Sequence, residues 1–249
     1  MHINYKYVLD KCNQVAGKIL DYGCGEGDVA TAGREQGIDI VGVEAFYDGN
    51  EAEKAIVAKG LLDVTVFALS PDFRIPFSGN EFDLVVSNQV LEHVQDLDLT
   101  LSEIYRVMTP SGKFLALFPS VSVIREGHCG IPFAHWFSQK SVLRYPFMRF
   151  MRFVGFGFLK NGKPQSQWVR DFMDYLDNYV IYRSFSSIQK AFHDAGFNLH
   201  FLESDHVNYR LRQKGVKIPR SLGSSPPLRF LSQVFFRRFG GLVLLAEKA

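Results

Sequence analysis

Three groups of residues in this chain have types and spacings suited to chemistry. In Asp21-Tyr-Gly-Cys-Gly-Glu-Gly27 an apolar run, Lys18-Ile-Leu, ends in a carboxylate followed by glycines at alternate positions, Gly23, Gly25 and Gly27 around Cys24. Glycine takes positive φ and puts no Cβ between backbone and ligand, so such a loop can carry a cofactor laid across a strand end. A second carboxylate, Glu44, closes the run Ile38-Asp-Ile-Val-Gly-Val. It suits a pair of ribose hydroxyls, although a solvated strand-end carboxylate has the same signature. Third, Arg125-Glu-Gly-His-Cys-Gly-Ile-Pro-Phe-Ala-His-Trp-Phe137 holds His128 and His135. An imidazole near its ordinary pKa can take a proton from a reacting hydroxyl, while a histidine among aromatics can equally be a hydrogen-bonded packing residue. Glu92 and His93 are neighbours at the head of an expected helix, where adjacent side chains point about 100° apart. That argues for a structural or orienting role, and no metal is expected.

The glycine loop needs a strand before it and a helix after it. Asp28-Val-Ala-Thr-Ala-Gly-Arg-Glu-Gln supplies the helix, stopped by Gly37. A dinucleotide fingerprint would require a small residue at the third position of G-x-G-x-x-G/A, and counting from Gly23 and Gly25 that position is Asp28. A carboxylate there would oppose a pyrophosphate at the helix N-terminus, which disfavours nicotinamide and flavin cofactors. Further strands are expected at 63–69, 82–88, 113–119, 197–203 and 241–247. Leu97, Leu101, Ile104 and Met108 mark one helix, and Ser186 to Gln189 opens another with a capping-box pattern. Alternation of strands and helices calls for a parallel α/β sheet.

The D-x-G-C-G-x-G spacing from Asp21 to Gly27 resembles motif I of the class I S-adenosylmethionine-dependent methyltransferases. Ile75-Pro-Phe with Phe82-Asp-Leu-Val resembles the "LPF…FDLV" signature of their small-molecule members. The resemblance covers about residues 15–119 and 184–247. It implies a Rossmann-like, seven-stranded, mostly parallel sheet with helices on both faces and a last, antiparallel strand beside the fifth. It also implies S-adenosylmethionine as cofactor, cradled by Asp21, Gly23, Cys24, Gly25 and Gly27. Glu44 would sit on the ribose, Asn88 and Gln89 near the methionine half, and Asp72, or the backbone around Leu69 and Ser70, near the adenine. A cationic sulfonium tolerates this acidic surround. In the family the connection after the fifth strand often caps the active site, which would bring His128 and His135 toward the methyl group.

A chain of 249 residues with 47% apolar content suits one domain, here 1–249, with a cap insertion at about 120–183 and a second insertion at about 208–239. The stretch 121–185 carries 15 of the 35 aromatic residues, a density that fits a substrate-binding cap. A net charge of +2 gives no case for nucleic acid. Cys12, Cys24 and Cys129 form neither a disulfide framework nor a metal-type pair, no signal-like segment or spanning run is evident, and a cytoplasmic setting is expected. Arg144–Lys160 and Pro227–Phe239 interleave cations with large apolar groups. In the second, Leu228, Leu231, Val234 and Phe235 form a face expected to pack on the sheet, with peripheral membrane contact the less favoured option. The expected function is methyl transfer to a small-molecule acceptor, at an oxygen of a sugar, glycan precursor or lipid-linked molecule. A non-catalytic binding module for the same cofactor is the alternative, with a nicotinamide-dependent oxidoreductase behind it.

Overall fold

The computed structural model describes residues 2–46, 51–216 and 225–249. Seven strands make one sheet in the order β3-β2-β1-β4-β5-β7-β6: β1 Ile19–Tyr22, β2 Ile40–Glu44, β3 Val66–Ala68, β4 Phe82–Asn88, β5 Met108–Phe118, β6 Phe197–Phe201 and β7 Leu242–Lys248. The first five run parallel, and β7 lies antiparallel between β5 and β6. Successive strand residues face opposite ways, so each buried strand feeds two cores. Ile19, Ile40, Leu84 and Val86 pack with Tyr7 and Val8 of α1 (Ile3–Cys12) and Val29 and Ala30 of α2 (Asp28–Glu35). Leu20, Val41, Val43 and Val85 pack on the other face with Leu101 and Ile104 of α4 (Leu97–Val107) and Ile188 and Phe192 of α7 (Phe185–Asp194). A short helix, α3 (Glu51–Ala58), precedes β3.

The Phe82-Asp83 pair has a mechanical role at the start of β4. Asp83 accepts hydrogen bonds from the Lys18 amide at 3.1 Å and the Thr109 hydroxyl at 3.2 Å, tying β1 and β5 to β4. β5 begins five residues before the expected strand, because Phe82 pairs with Met108 while Leu84 pairs with Lys113, leaving Thr109–Gly112 as a bulge. A Cβ on Gly112 would lie 2.9 Å from the Phe82 carbonyl, so the bulge requires glycine there.

Between β5 and α7 the chain forms a cap with its own core. Here α5 (Arg144–Phe153) packs on α6 (Gln165–Tyr179), burying Met148, Trp168, Val169 and Leu176 with Cys129 and Ile131. Arg144, fully buried, pairs with Asp177 at 2.5 Å.

Several local expectations change. α1 precedes the first expected element. Leu91–His93 is a turn, and α4 starts later, at Leu97, with Asp96 as the capping side chain on the Leu99 amide. Ser184, two residues before Ser186, caps α7. The second insertion is a helical pair, α8 (Glu203–Gln213) and α9 (Pro226–Phe239); residues 217–224 of that stretch lie outside the described residues. α9 does not lay its expected face on the sheet. Phe236 is buried, whereas Leu231 and Phe235 are 60% and 62% exposed, with Leu228 and Val234 also exposed. The inner side of α9 is taken by Phe236 against His206, Arg237 on Glu203 at 2.6 Å and Ser232 on Ser204 at 2.7 Å. No helix among the described residues is long and apolar enough to cross a membrane.

Candidate active site

The carboxyl ends of β1, β2 and β4 are in register, with Asp21 opposite Gly42 and Val86, so Asp21, Glu44 and Asn88 are presented along one edge of the sheet. This is where the strand order turns back on itself and where open α/β sheets hold ligands. A cleft of about 340 Å³ opens there, lined by His2, Tyr5, Asp21, Gly23, Cys24, Gly25, Val29, Asn88 and Gln89. Gly23, Gly25 and Gly27 all have positive φ, the last as the residue before α2. A Cβ on Gly23 would strike Val90 at 2.4 Å, whereas one on Gly25 would meet nothing within 4 Å and would stand in open space. Two of the glycines therefore have separate duties: Gly23 admits the β4 turn, and Gly25 leaves backbone bare.

The charges around this loop are acidic. Glu44 accepts the Gly25 amide at 2.6 Å and the Ala45 amide at 3.0 Å, so the end of β2 braces the loop directly. Burial raises its carboxyl despite those bonds. Burial, with the Glu44 carboxylate nearby, pushes Asp21 up to about 7. The Asn88 Oδ1 is buried without a partner among the described residues, and Gln89 takes a positive φ of 60° with its amide on the Leu117 carbonyl at 2.7 Å. One buried and one half-buried carboxylate, an acceptor with no partner among the described residues and a bare backbone concavity suit a cationic ligand with donor groups. Asp72 is elsewhere. It lies exposed in the turn after β3, bonded to Ser70 at 2.5 Å and Arg74 at 2.8 Å, and is absent from the cleft lining. The intervening Ser70–Arg74 turn satisfies itself and carries the carboxylate outward.

Immediately after Gln89 the chain makes the Leu91–His93 turn, and the cap returns to hold it. Arg183 donates to the carbonyls of Leu91 at 3.0 Å, Val94 at 2.6 Å and Gln95 at 3.2 Å, and the Ile181 amide donates to the Glu92 carbonyl at 2.6 Å. Held there, His93 faces His128 of the cap, Nε2 to Nε2, at 3.3 Å. Behind His128 stands Glu126, wholly buried, which accepts from His128 Nδ1 at 2.7 Å, the Tyr182 hydroxyl at 2.5 Å and the Cys129 amide at 2.5 Å. Burial alone would raise Glu126, but these three donors outweigh it and hold it at about 2. Burial also works against protonation of His128, and the Glu126 carboxylate reverses the balance, raising it. Glu92, buried with neither carboxylate oxygen partnered among the described residues, is pushed up to about 7 by burial.

The two expected cap histidines are thereby separated. His128 joins His93 and Glu92 at the turn that follows Gln89, although none of the three is in the cleft lining. His135 stacks on Tyr182 at 4.2 Å and bonds the Val121 carbonyl at 3.2 Å, a packing role, with burial lowering its pKa. Glu126, Tyr182, Arg183, His2 and Tyr5 were not singled out from sequence. Glu126, two residues before His128 in a glycine-flanked loop, carried a signal as a possible orienting carboxylate; the others become functional only through contacts distant in sequence.

Comparison with known proteins agrees with this geometry. Residues 4–201 match the family model described as a methyltransferase domain. The demethylmenaquinone methyltransferase of Symbiobacterium thermophilum is 28% identical over 200 residues, covering 72% of this chain and 67% of that protein. A ubiquinone/menaquinone biosynthesis C-methyltransferase, UbiE of Brucella canis, is 35% identical over 103 residues, but the match spans only 39% of this chain and 38% of the relative. The crystal structure of an S-adenosylmethionine-dependent methyltransferase from Mesorhizobium loti superposes with a TM-score of 0.58 at 15% identity, covering 99% of this chain and 98% of that one. With the glycine loop, the acidic strand ends and the β7 insertion all in place, this chain belongs to the methyltransferase-domain family and is an S-adenosylmethionine-dependent methyltransferase.

Proposed function

We propose that the acceptor is a small molecule bearing an acidic hydroxyl, held between the cleft and the cap, and that its oxygen receives the methyl group. The observation behind this reading is the pair of facing imidazoles, His93 and His128, backed by Glu126 and standing at the turn that follows Asn88 and Gln89. The cofactor supplies an electrophilic methyl carbon on a cationic sulfur, bound by Asp21, the glycine loop, Glu44, Asn88 and Gln89. When bound, it would give up that methyl to the acceptor oxygen, keeping the carbon–sulfur electron pair on sulfur. The hydroxyl proton leaves to the His93–His128 pair, where the Glu126 carboxylate stabilises the imidazolium. The Tyr175 ring, 5.4 Å from His128, and the nearby Tyr182 give this end of the site aromatic walls suited to a ring-bearing or lipid-linked acceptor. His135 plays no part in the proton transfer, and the acidic loop and buried cluster are more than a passive cofactor sensor would need.

A second reading, methylation at carbon, draws on the printed names of the demethylmenaquinone and UbiE relatives. Loss of a proton from a hydroxylated ring also activates the neighbouring carbon, so the same residues would serve. NMR of the methylated product separates a methoxy from a ring methyl group. His128→Ala is expected to lower turnover by 10²–10⁴-fold with cofactor affinity unchanged, and retained turnover would remove His128 from the reaction.

A further inference from the structure

We propose that Glu92, His93 and His128 form a binding site for one divalent transition-metal ion, best suited to zinc. The ligand atoms of these three residues lie within 4.8 Å of one another. Their hydrogen bonds fix what each can offer. His93 Nδ1 lies 2.6 Å from the Tyr179 carbonyl, which can only accept, so the ring proton is on Nδ1 and Nε2 is bare. His128 Nδ1 donates to the Glu126 carboxylate in the same way, baring its Nε2. The two Nε2 atoms lie 3.3 Å apart, a separation that either a proton shared by the rings or a metal ion between them would satisfy. Two zinc–nitrogen bonds of about 2.0–2.1 Å at a tetrahedral angle place their nitrogens about 3.3 Å apart.

Glu92 supplies the third ligand and an independent reason for the site. Glu92 is 1% exposed and neither carboxylate oxygen has a partner among the described residues, the costly condition of a buried acid. The expectation that Glu92 and His93 diverge assumed a helix; the turn held by Arg183 and Ile181 removes that objection. The surroundings are also those of a metal centre. Each imidazole hands its other ring proton to an acceptor, Tyr179 or Glu126, which fixes the tautomer and ring orientation that ligation requires. Two histidines and one carboxylate leave a fourth position open, as in catalytic zinc sites. This deepens the proposed function and rests on it only for the open position's use: in the metal-bound chain the acceptor hydroxyl would bind the ion there and lose its proton to solvent, the ion taking over the part that the His93–His128 pair plays as proton acceptor in the metal-free chain.

The test is calorimetric titration of the full-length chain, stripped with EDTA and dialysed, with zinc chloride alone. One ion per chain is expected, with His93→Gln and His128→Asn each weakening binding at least 100-fold and Glu126→Gln about 10–100-fold. Magnesium chloride should give no comparable binding, since magnesium prefers oxygen ligands. Binding of S-adenosylhomocysteine reports whether each variant is folded. For any variant that is not, the cobalt(II) spectrum of the unmutated chain decides, with nitrogen and oxygen ligands expected and no thiolate charge-transfer band. Absence of stoichiometric zinc, binding indifferent to both histidine substitutions, or a thiolate band implicating Cys129 or another cysteine would overturn the site. Methyl transfer by a chain that fails to bind zinc would leave the proposed function standing while refuting this inference. Zinc bound as described, with no acceptor methylated, would do the reverse.

Discussion

Asp21 carries the most specific expectation at the scale of single residues. Its carboxyl, buried beside Glu44, sits at about 7 in the free protein, and a cationic cofactor favours the ionised form. Binding should therefore release a proton below pH 7: affinity is expected to climb with pH, by up to about tenfold per unit, and level off above about 7. Calorimetry across pH 5.5–8.5 checks this, and Asp21→Asn should flatten the profile. The places of Asp21, the three glycines, Glu44 and Asn88 at or just after the strand ends were legible in the sequence, because spacing records strand ends and local backbone. Glu126 left only the local hint of a carboxylate two residues before His128, and Tyr182 left none, because their hydrogen bond joins positions 56 residues apart. Asp72 misled for a related reason: a self-bonded turn decides where its side chain points.

At the scale of elements, the Arg183 guanidinium makes three of the hydrogen bonds that fasten the cap to the turn after β4, beside the Ile181 amide and the Tyr179 carbonyl. Arg183 binds three carbonyls of the turn carrying Glu92 and His93 and so sets the distance between cap and cleft. Arg183→Met is expected to cost about 1–3 kcal/mol of stability, with turnover falling and cofactor affinity preserved. Thermal unfolding beside cofactor titration measures both. Strand order, the parallel sheet and the place of β7 were readable from alternating patterns and the family resemblance. The turn at Leu91–His93 was read as the head of a helix, since a Leu-Glu-His triplet has no local feature to forbid one. Tertiary hydrogen bonds from Ile181 and Arg183 occupy its carbonyls instead. The outward face of α9 has a similar cause, the ion pair between Arg237 and Glu203 having decided which side turns inward.

For the molecule as a whole, the junction of α1, α8 and α9 makes folding sensitive to acid. His206 is fully buried, edge-on to Tyr7 at 4.6 Å and Phe236 at 4.9 Å, and neither ring nitrogen has a partner among the described residues. Burial pushes it down to about 4. An unfolded histidine takes up a proton near 6.5 that the folded one refuses until about 4, so stability is lost as pH falls through that window, by about 3 kcal/mol in total. His206→Phe should remove most of that slope in urea unfolding at pH 7.5 and 5. Because α1 also supplies His2 and Tyr5 to the cleft, acid loosening of this junction should release cofactor as well. The central claim concerns what the assembled molecule does with that cofactor. Its most direct test is incubation of the full chain with methyl-labelled S-adenosylmethionine and a small-molecule extract of its source cells. Label is expected in a hydroxyl-derived product, formed in step with S-adenosylhomocysteine and lost in His128→Ala; cofactor bound tightly with no labelled product under any condition would contradict methyl transfer by this site.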